Sequence, residues 1–304
     1  MFDLTGKVAL ITGGSYGLGV VWAEALANAG ADIALTARSA ELLEGVATSL
    51  RSSTGRTVSI HPGDVTVETD VERICAAIIA EHGHIDILVN NAGVSENTGK
   101  SSEQTTTEHF RHAIDVDLIG VWNYARTVGR HMLERGQGSI INVASICGMG
   151  ATEFANPAYH AAKGAVIQLT RQLGAEWADR GVRVNAISPG FFMSEMVREA
   201  LELTGTRPWV ESRAPMRRMG NHDELAGPVV FLASDAASYV TGVNLPVDGG
   251  HSSVIGMSQL QAPWQLWNTP GPIRPEATFA GITELPPGIP RQGIPGFHYP
   301  VDES

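Results

Sequence analysis

Short apolar runs alternate with amphipathic stretches through the first 250 residues. Lys7–Thr12 (KVALIT) is apolar after its lysine, the pattern of a strand buried on both faces of a parallel sheet. A helical period follows from about Leu18 to Ala29, and Gly30 ends it. Asp32–Thr36 is the next apolar run, so the three segments make a strand–helix–strand unit. The same reasoning predicts helices over 40–52 and 68–81 and strands over 57–60 and 85–89. It then predicts a long helix over about 107–134, a strand over 139–144, a helix over 158–179 and a strand over 182–187. A helical excursion over 194–219, a helix over 222–233 and a strand near 243–247 complete the series. Seven alternations predict an α/β fold: a doubly wound parallel sheet of about seven strands, with helices on both faces.

The pattern changes after about Gly256. Nine of the chain's sixteen prolines fall in the last 48 residues, which show neither period. The expected organisation is a domain over 1–255 and a Pro-rich extension over 256–304. The extension carries Trp264, Trp267, Phe279, Phe297 and Tyr299, more aromatics than a solvated tail needs, so a docked arm is favoured over a disordered tail.

Composition narrows the function. Apolar residues at 43% and charged residues at 17% suit a soluble enzyme. A net charge of −11 disfavours nucleic acid and acidic membrane surfaces as partners. The two cysteines, Cys75 and Cys147, are too few for a disulfide framework or a thiolate metal cluster. The N-terminus reads as a strand, and no apolar run reaches the ~20 residues of a membrane span. A cytoplasmic protein without a metal centre is expected.

Two stretches carry candidate chemistry. Gly13, Ser15, Tyr16, Gly17, Leu18 and Gly19 join the first strand to the first helix. A Gly-rich turn there brings backbone N–H groups and a helix N-terminus to a phosphate. Second, Ser145 ends the strand at 139–144, and Tyr159 and Lys163 follow at the start of the next helix. Four residues apart, they share one helix face. An ammonium beside a phenol favours the phenolate. A tyrosine begins near pKa ~10, and each unit of depression takes about 1.4 kcal/mol. Lowered by a few units, it could act as a general base. On its own, Tyr-x-x-x-Lys is also an ordinary amphipathic face.

Taken together, TGGSYGLG at 12–19, Asp64-Val65, NNAG at 90–93, Ser145, Tyr159-x-x-x-Lys163, Ser188-Pro189-Gly190 and DGG at 248–250 resemble the short-chain dehydrogenase/reductase family. The resemblance covers about residues 3–255. It implies a Rossmann-type fold, a nicotinamide cofactor, and a dimer or tetramer built on the helices near 107–134 and 158–179. It implies that Ser145 bonds the substrate oxygen, that Tyr159 exchanges the hydroxyl proton, and that Lys163 holds the ribose and depresses the tyrosine. Asp64, Val65, Asn91, Ala92, Gly93, Pro189, Gly190, Phe192 and Ser194 would line the cofactor. Asp117 stands where relatives usually carry Asn, which puts the proton relay in doubt.

The second strand ends Thr36-Ala37-Arg38-Ser39, with no acid to take the ribose 2′-OH of NAD. Arg38 and Ser39 suit the 2′-phosphate of NADP, so NADP(H) is favoured, with NAD(H) possible. Substrate contacts are expected from Glu153, Phe154, Met193, Met196 and Trp209. The expected substrate is a small ketone, keto-sugar, polyol or cyclic alcohol. The alternatives are a 3-oxoacyl-carrier-protein reductase, for which Arg126, Arg130 and Arg180 are the candidate docking cations, and a non-catalytic nucleotide-sensing protein.

Overall fold

A computed structural model describes residues 1–94, 101–152, 156–193 and 207–253. Its seven parallel strands are β1 Val8–Thr12, β2 Asp32–Thr36, β3 Val58–Ile60, β4 Ile87–Asn90, β5 Gly138–Val143, β6 Val182–Pro189 and β7 Asn244–Val247. They lie in the order β3-β2-β1-β4-β5-β6-β7. The order reverses between β1 and β4, so a crevice opens beyond the carboxyl ends of those strands. The helices are α1 Leu18–Asn28, α2 Ala40–Thr54, α3 Glu68–His82, α4 Thr107–Ile114, α5 Gly120–Arg135, α6 Pro157–Trp177, α7 Arg207–Arg213 and α8 Ala226–Ala233.

Strand residues alternate between two cores, as a period of two requires. Ile11, Ile33, Leu35, Val89 and Ile141 pack with Trp22 and Leu26 of α1, Leu43 of α2, and Val229 and Leu232 of α8. Leu10, Ala34, Leu88, Ile140 and Val184 turn the other way. They meet Ile74 and Ile78 of α3, Tyr124 and Val128 of α5, and Leu173 and Trp177 of α6. Each fully buried side chain of this size contributes about 1.5–3 kcal/mol of burial.

A polar ladder crosses the second layer. Asn90 and Asn142 are register partners on β4 and β5. Asn90 Nδ2 donates to Asn142 Oδ1 at 2.9 Å, and Asn142 Nδ2 donates to Thr170 Oγ1 of α6 at 2.9 Å. A buried amide without partners is costly, so the ladder fixes both the β4/β5 register and the seat of α6.

The long helix expected over 107–134 is broken. Between α4 and α5 the backbone takes one wide π turn over Asp115–Ile119, closed by Gly120 N–H to Asp115 C=O. Gly120 lies against Val65, where a Cβ would sit 2.6 Å from the valine Cγ2. The turn places Asp117 inside the molecule, fully buried. The helix expected over 222–233 begins as a 3₁₀ turn, His222–Leu225, capped by Asn221 and Glu224.

Candidate active site

β1 delivers the chain into the Gly-rich turn, where Gly13 has φ 66° and Gly17 has φ 60°. Residues with a Cβ rarely take that region. At Gly19 a Cβ would collide with the carbonyl oxygen of Gly13. α1 starts at Leu18 with no side-chain cap and no acid in its first turn. Its first N–H groups and positive end therefore face the crevice without a competing carboxylate.

The turn is held from behind. Asn91 Nδ2 donates to the carbonyls of Thr12 at 3.0 Å and Gly13 at 3.2 Å. Asn91 Oδ1 accepts from Trp22 Nε1 at 2.9 Å. Thr12 Oγ1 accepts from the backbone N–H groups of Asn91 and Ala92, each at 3.0 Å. The asparagine expected beside the ribose thus has its side chain turned into the loop.

The residues expected at the cofactor rim come from the loops after β1, β2 and β3. Ser15 is buried, while Tyr16 and Arg38 are exposed. Ser39 caps α2 by accepting from Leu42 N–H at 3.3 Å. Asp64 Oδ1 accepts from the N–H and hydroxyl of Thr66, and Val65 C=O accepts from Asn123 Nδ2 at 3.0 Å. The cradle and the cation at its rim fit a dinucleotide.

Ser145, Tyr159 and Lys163 come together at the carboxyl end of β5. Ser145 Oγ accepts from Cys147 N–H at 3.2 Å, and the serine lies near enough to Tyr159 to favour its anion. Asn156 caps α6 by accepting from Tyr159 N–H at 3.3 Å, and Pro157 opens the first turn. Lys163 Nζ donates to Val143 C=O at 3.0 Å and lies 5.5 Å from the Tyr159 ring centroid. Gly148 lets its loop pass the backbone of Lys163, where a Cβ would sit 2.5 Å from the lysine carbonyl carbon.

Asp117 joins this group from the π turn. Its Oδ1 accepts from Val94 N–H at 3.1 Å and lies 3.4 Å from Lys163 Nζ. Gly93 closes over it, and a Cβ there would strike Asp117 Oδ1. Burial pushes the Asp117 carboxyl up, with Lys163 pulling the other way. Tyr159 departs from the sequence expectation. Burial raises its hydroxyl, and the Lys163 charge and the Ser145 hydrogen bond offset only part of this. The spacing argument counted the ammonium but not desolvation.

Gly190 N–H donates to Val247 C=O at 2.9 Å, and a Cβ on Gly190 would lie 2.7 Å from Asp248 Cβ. Pro189 ends β6. The Phe192 ring, only 6% exposed, packs into the first core against Gly220. Met193 packs with Val210 and Met219. Glu153, Phe154, Ser194, Met196, the side chain of Trp209 and the extension from 256 lie outside the described residues.

Sequence reasoning missed two features at this end. His251 stacks obliquely on Phe191 with centroids 5.5 Å apart, and burial lowers its pKa. No local signal marks it, because the pairing joins the loop after β6 to the turn after β7. The Asn142 support was also invisible, since Asn in an apolar run gives no hint of its partner. Among the described residues no group of three or more His, Cys, Asp or Glu could hold a metal ion. No described helix is long and apolar enough to cross a membrane.

The sheet order is that of a Rossmann-type fold. The comparisons give the class. A family model described as enoyl-(acyl carrier protein) reductase matches residues 13–252, and the chain belongs to the short-chain dehydrogenase/reductase family. Gluconate 5-dehydrogenase of Gluconobacter oxydans is 36% identical over 253 residues, spanning 82% of this chain and 96% of its own. The crystal structure of a gluconate 5-dehydrogenase from Burkholderia cenocepacia with NADP and tartrate has TM-score 0.79 at 37% identity, covering 84% of this chain and 98% of that one. The crystal structure of NAD⁺-bound xylitol dehydrogenase has TM-score 0.76 at 32% identity, covering 81% and 99%. The chain is an oxidoreductase acting on CH–OH groups, of a type that uses a nicotinamide cofactor.

Proposed function

We propose that this enzyme interconverts a polyol or sugar acid and its keto form with NADP(H), through Ser145, Tyr159 and Lys163. The observation that carries the reading is the convergence of these three side chains beyond β5, with Lys163 held by Val143 C=O and lying 5.5 Å from the Tyr159 ring centroid. The cofactor supplies or accepts the hydride. Ser145 donates to the substrate oxygen and holds the reacting carbon in place. Tyr159 takes the hydroxyl proton during oxidation and returns it during reduction. Lys163 stabilises the phenolate and reaches the ribose hydroxyls. Donors set in advance of the reaction favour the developing alkoxide.

The substrate class follows from the similar enzymes, named for gluconate and xylitol. NADP is favoured because Ala37 replaces an acid and Arg38 is exposed at the end of β2. Docking of an acyl carrier is disfavoured: Arg126 pairs with Glu68 and Arg180 with Glu176. We also infer a homo-oligomer, since Phe110, Ile119 and Trp122 are exposed along α4, the π turn and α5. Incubating the protein with a panel of polyols and sugar acids and NADP⁺ or NAD⁺, and following nicotinamide absorbance, tests the reading. Turnover of a polyol or sugar acid with NADP⁺ is expected. Activity confined to acyl thioesters, or none with any alcohol, would refute it.

A further inference from the structure

Asp117 is unlike the other buried carboxylate among the described residues. Asp86, at the opposite end of the sheet, accepts from Val8 N–H and is paired with both His84 and Arg135. Asp117 is fully buried, and its Oδ1 meets Val94 N–H and Lys163 Nζ. Its Oδ2, equally buried, meets no donor among the described residues. One carboxylate is therefore served by one ammonium, and that same ammonium lies over the Tyr159 ring. A phenolate at Tyr159 would need the same charge. Two acids that share one cation do not ionise independently: the anion already present makes the second harder to form.

We propose that the Asp117 carboxylate and the Tyr159 phenolate compete for Lys163, so that Asp117 sets the working pH of the site more alkaline than an uncharged residue would. This rests on the proposed role of Tyr159 and adds Asp117 as a positioning residue that acts through Lys163. Among the described residues, the groups facing the pair are few. Lys163 and Tyr159 come from α6, His112 from α4, and Cys147 from the turn after β5. The described part of the β4 loop contributes Gly93 and the N–H of Val94. His112 favours the Asp117 anion, while Cys147 and Asp117 both oppose the Tyr159 anion. No cation but Lys163 is near both acids among these groups. The π turn is what makes the arrangement possible, because it carries residue 117 inward to the lysine.

Asp117→Asn is the natural test, since the amide oxygen can still accept from Val94 N–H while the charge is gone. Asp117→Ser is a second uncharged variant with a smaller acceptor. Tyrosine ionisation is followed by ultraviolet absorbance, and the Tyr159 contribution is isolated by subtracting the same titration of the matching Tyr159→Phe protein. The expected result is a Tyr159 midpoint lowered by roughly one pH unit in both variants, as expected for removal of one nearby buried charge. The alkaline-going limb of kcat/KM for alcohol oxidation should move with it. A midpoint that stays or rises in folded variants would overturn the proposal. Loss of folding in both would also overturn it, by making Asp117 a structural anchor. The absorbance titration needs no substrate, so it separates this proposal from the reading of the reaction. Unimpaired turnover by Tyr159→Phe would refute that reading whatever Asp117 does.

Discussion

Each side chain of the centre is defined by what it touches, and single substitutions should separate their roles. Tyr159→Phe removes one hydroxyl from a ring beside Lys163. Turnover should fall about 10²- to 10⁴-fold, the range for loss of a general acid–base, while cofactor affinity holds. Lys163→Ala loses the ammonium that bonds Val143 C=O and neutralises Asp117, so turnover and cofactor affinity should fall together. Steady-state kinetics with fluorescence titration of the cofactor distinguishes the two. At the end of β2, Arg38→Asp replaces the proposed partner of a 2′-phosphate by an acceptor for a ribose hydroxyl. A charge-assisted bond contributes about 1.5–3 kcal/mol, so the NADP/NAD ratio of kcat/KM should fall roughly ten- to hundredfold. An unchanged ratio would mean that Arg38 only faces solvent.

At the scale of elements, a histidine pair joins the residue after β3 to the end of α3. His61 Nε2 lies 3.0 Å from Ser59 Oγ, which lies 2.8 Å from His82 Nε2, and Glu81 is 3.7 Å from His61. Burial lowers the His61 pKa. The folded protein therefore keeps His61 neutral where the unfolded chain, titrating near ~6.5, already binds a proton. The unfolded state gains protons first on acidification, so stability is lost as pH falls through ~6.5 and the loss ends below the folded value. His61→Asn should flatten part of the drop in melting temperature between pH 7.5 and 5.5. His131 and His251, which burial lowers likewise, contribute in the same direction. Equal slopes in both proteins would show that His61 does not contribute. None of this was visible in the sequence, because His61 and His82 meet only when α3 packs beside β3. The elements themselves were legible: β2 falls at Asp32–Thr36 as the apolar run required, and β1, β3 and β7 each begin one residue late. Their signal is local hydrophobic pattern, which needs no partner. The π turn was not legible, since Val116-Asp117-Leu118 reads as helix until Gly120 meets Val65. The meeting of Ser145, Tyr159 and Lys163 was legible from strand end and helix spacing. The rise in the Tyr159 hydroxyl was not, because it depends on burial among neighbours from three separate segments.

At the scale of the whole molecule, the Gly-rich turn after β1 and the group Ser145, Tyr159 and Lys163 lie beyond the carboxyl ends of the strands, while the outer faces of α4 and α5 carry large apolar side chains. Trp122 is 38% exposed and Ile119 40%. If the enzyme works as an oligomer through this face, Trp122→Arg should yield a smaller species by sedimentation, with a folded sheet by circular dichroism. An unchanged sedimentation coefficient would place the interface elsewhere.

The clamp on the Gly-rich turn has a thermodynamic consequence. Ordering one residue costs about 1–2 kcal/mol, so a turn that took shape only around its ligand would charge that cost to every binding event. Here Asn91, Thr12 and Trp22 hold the entrance of the turn from behind through protein groups alone. A mould cast in this way during folding would make capture of the proposed cofactor a rigid-body event. Calorimetry should then find a heat-capacity change no larger than the contact surface itself explains, and Asn91→Ala should make nucleotide binding entropically dearer while leaving every phosphate donor in the chain.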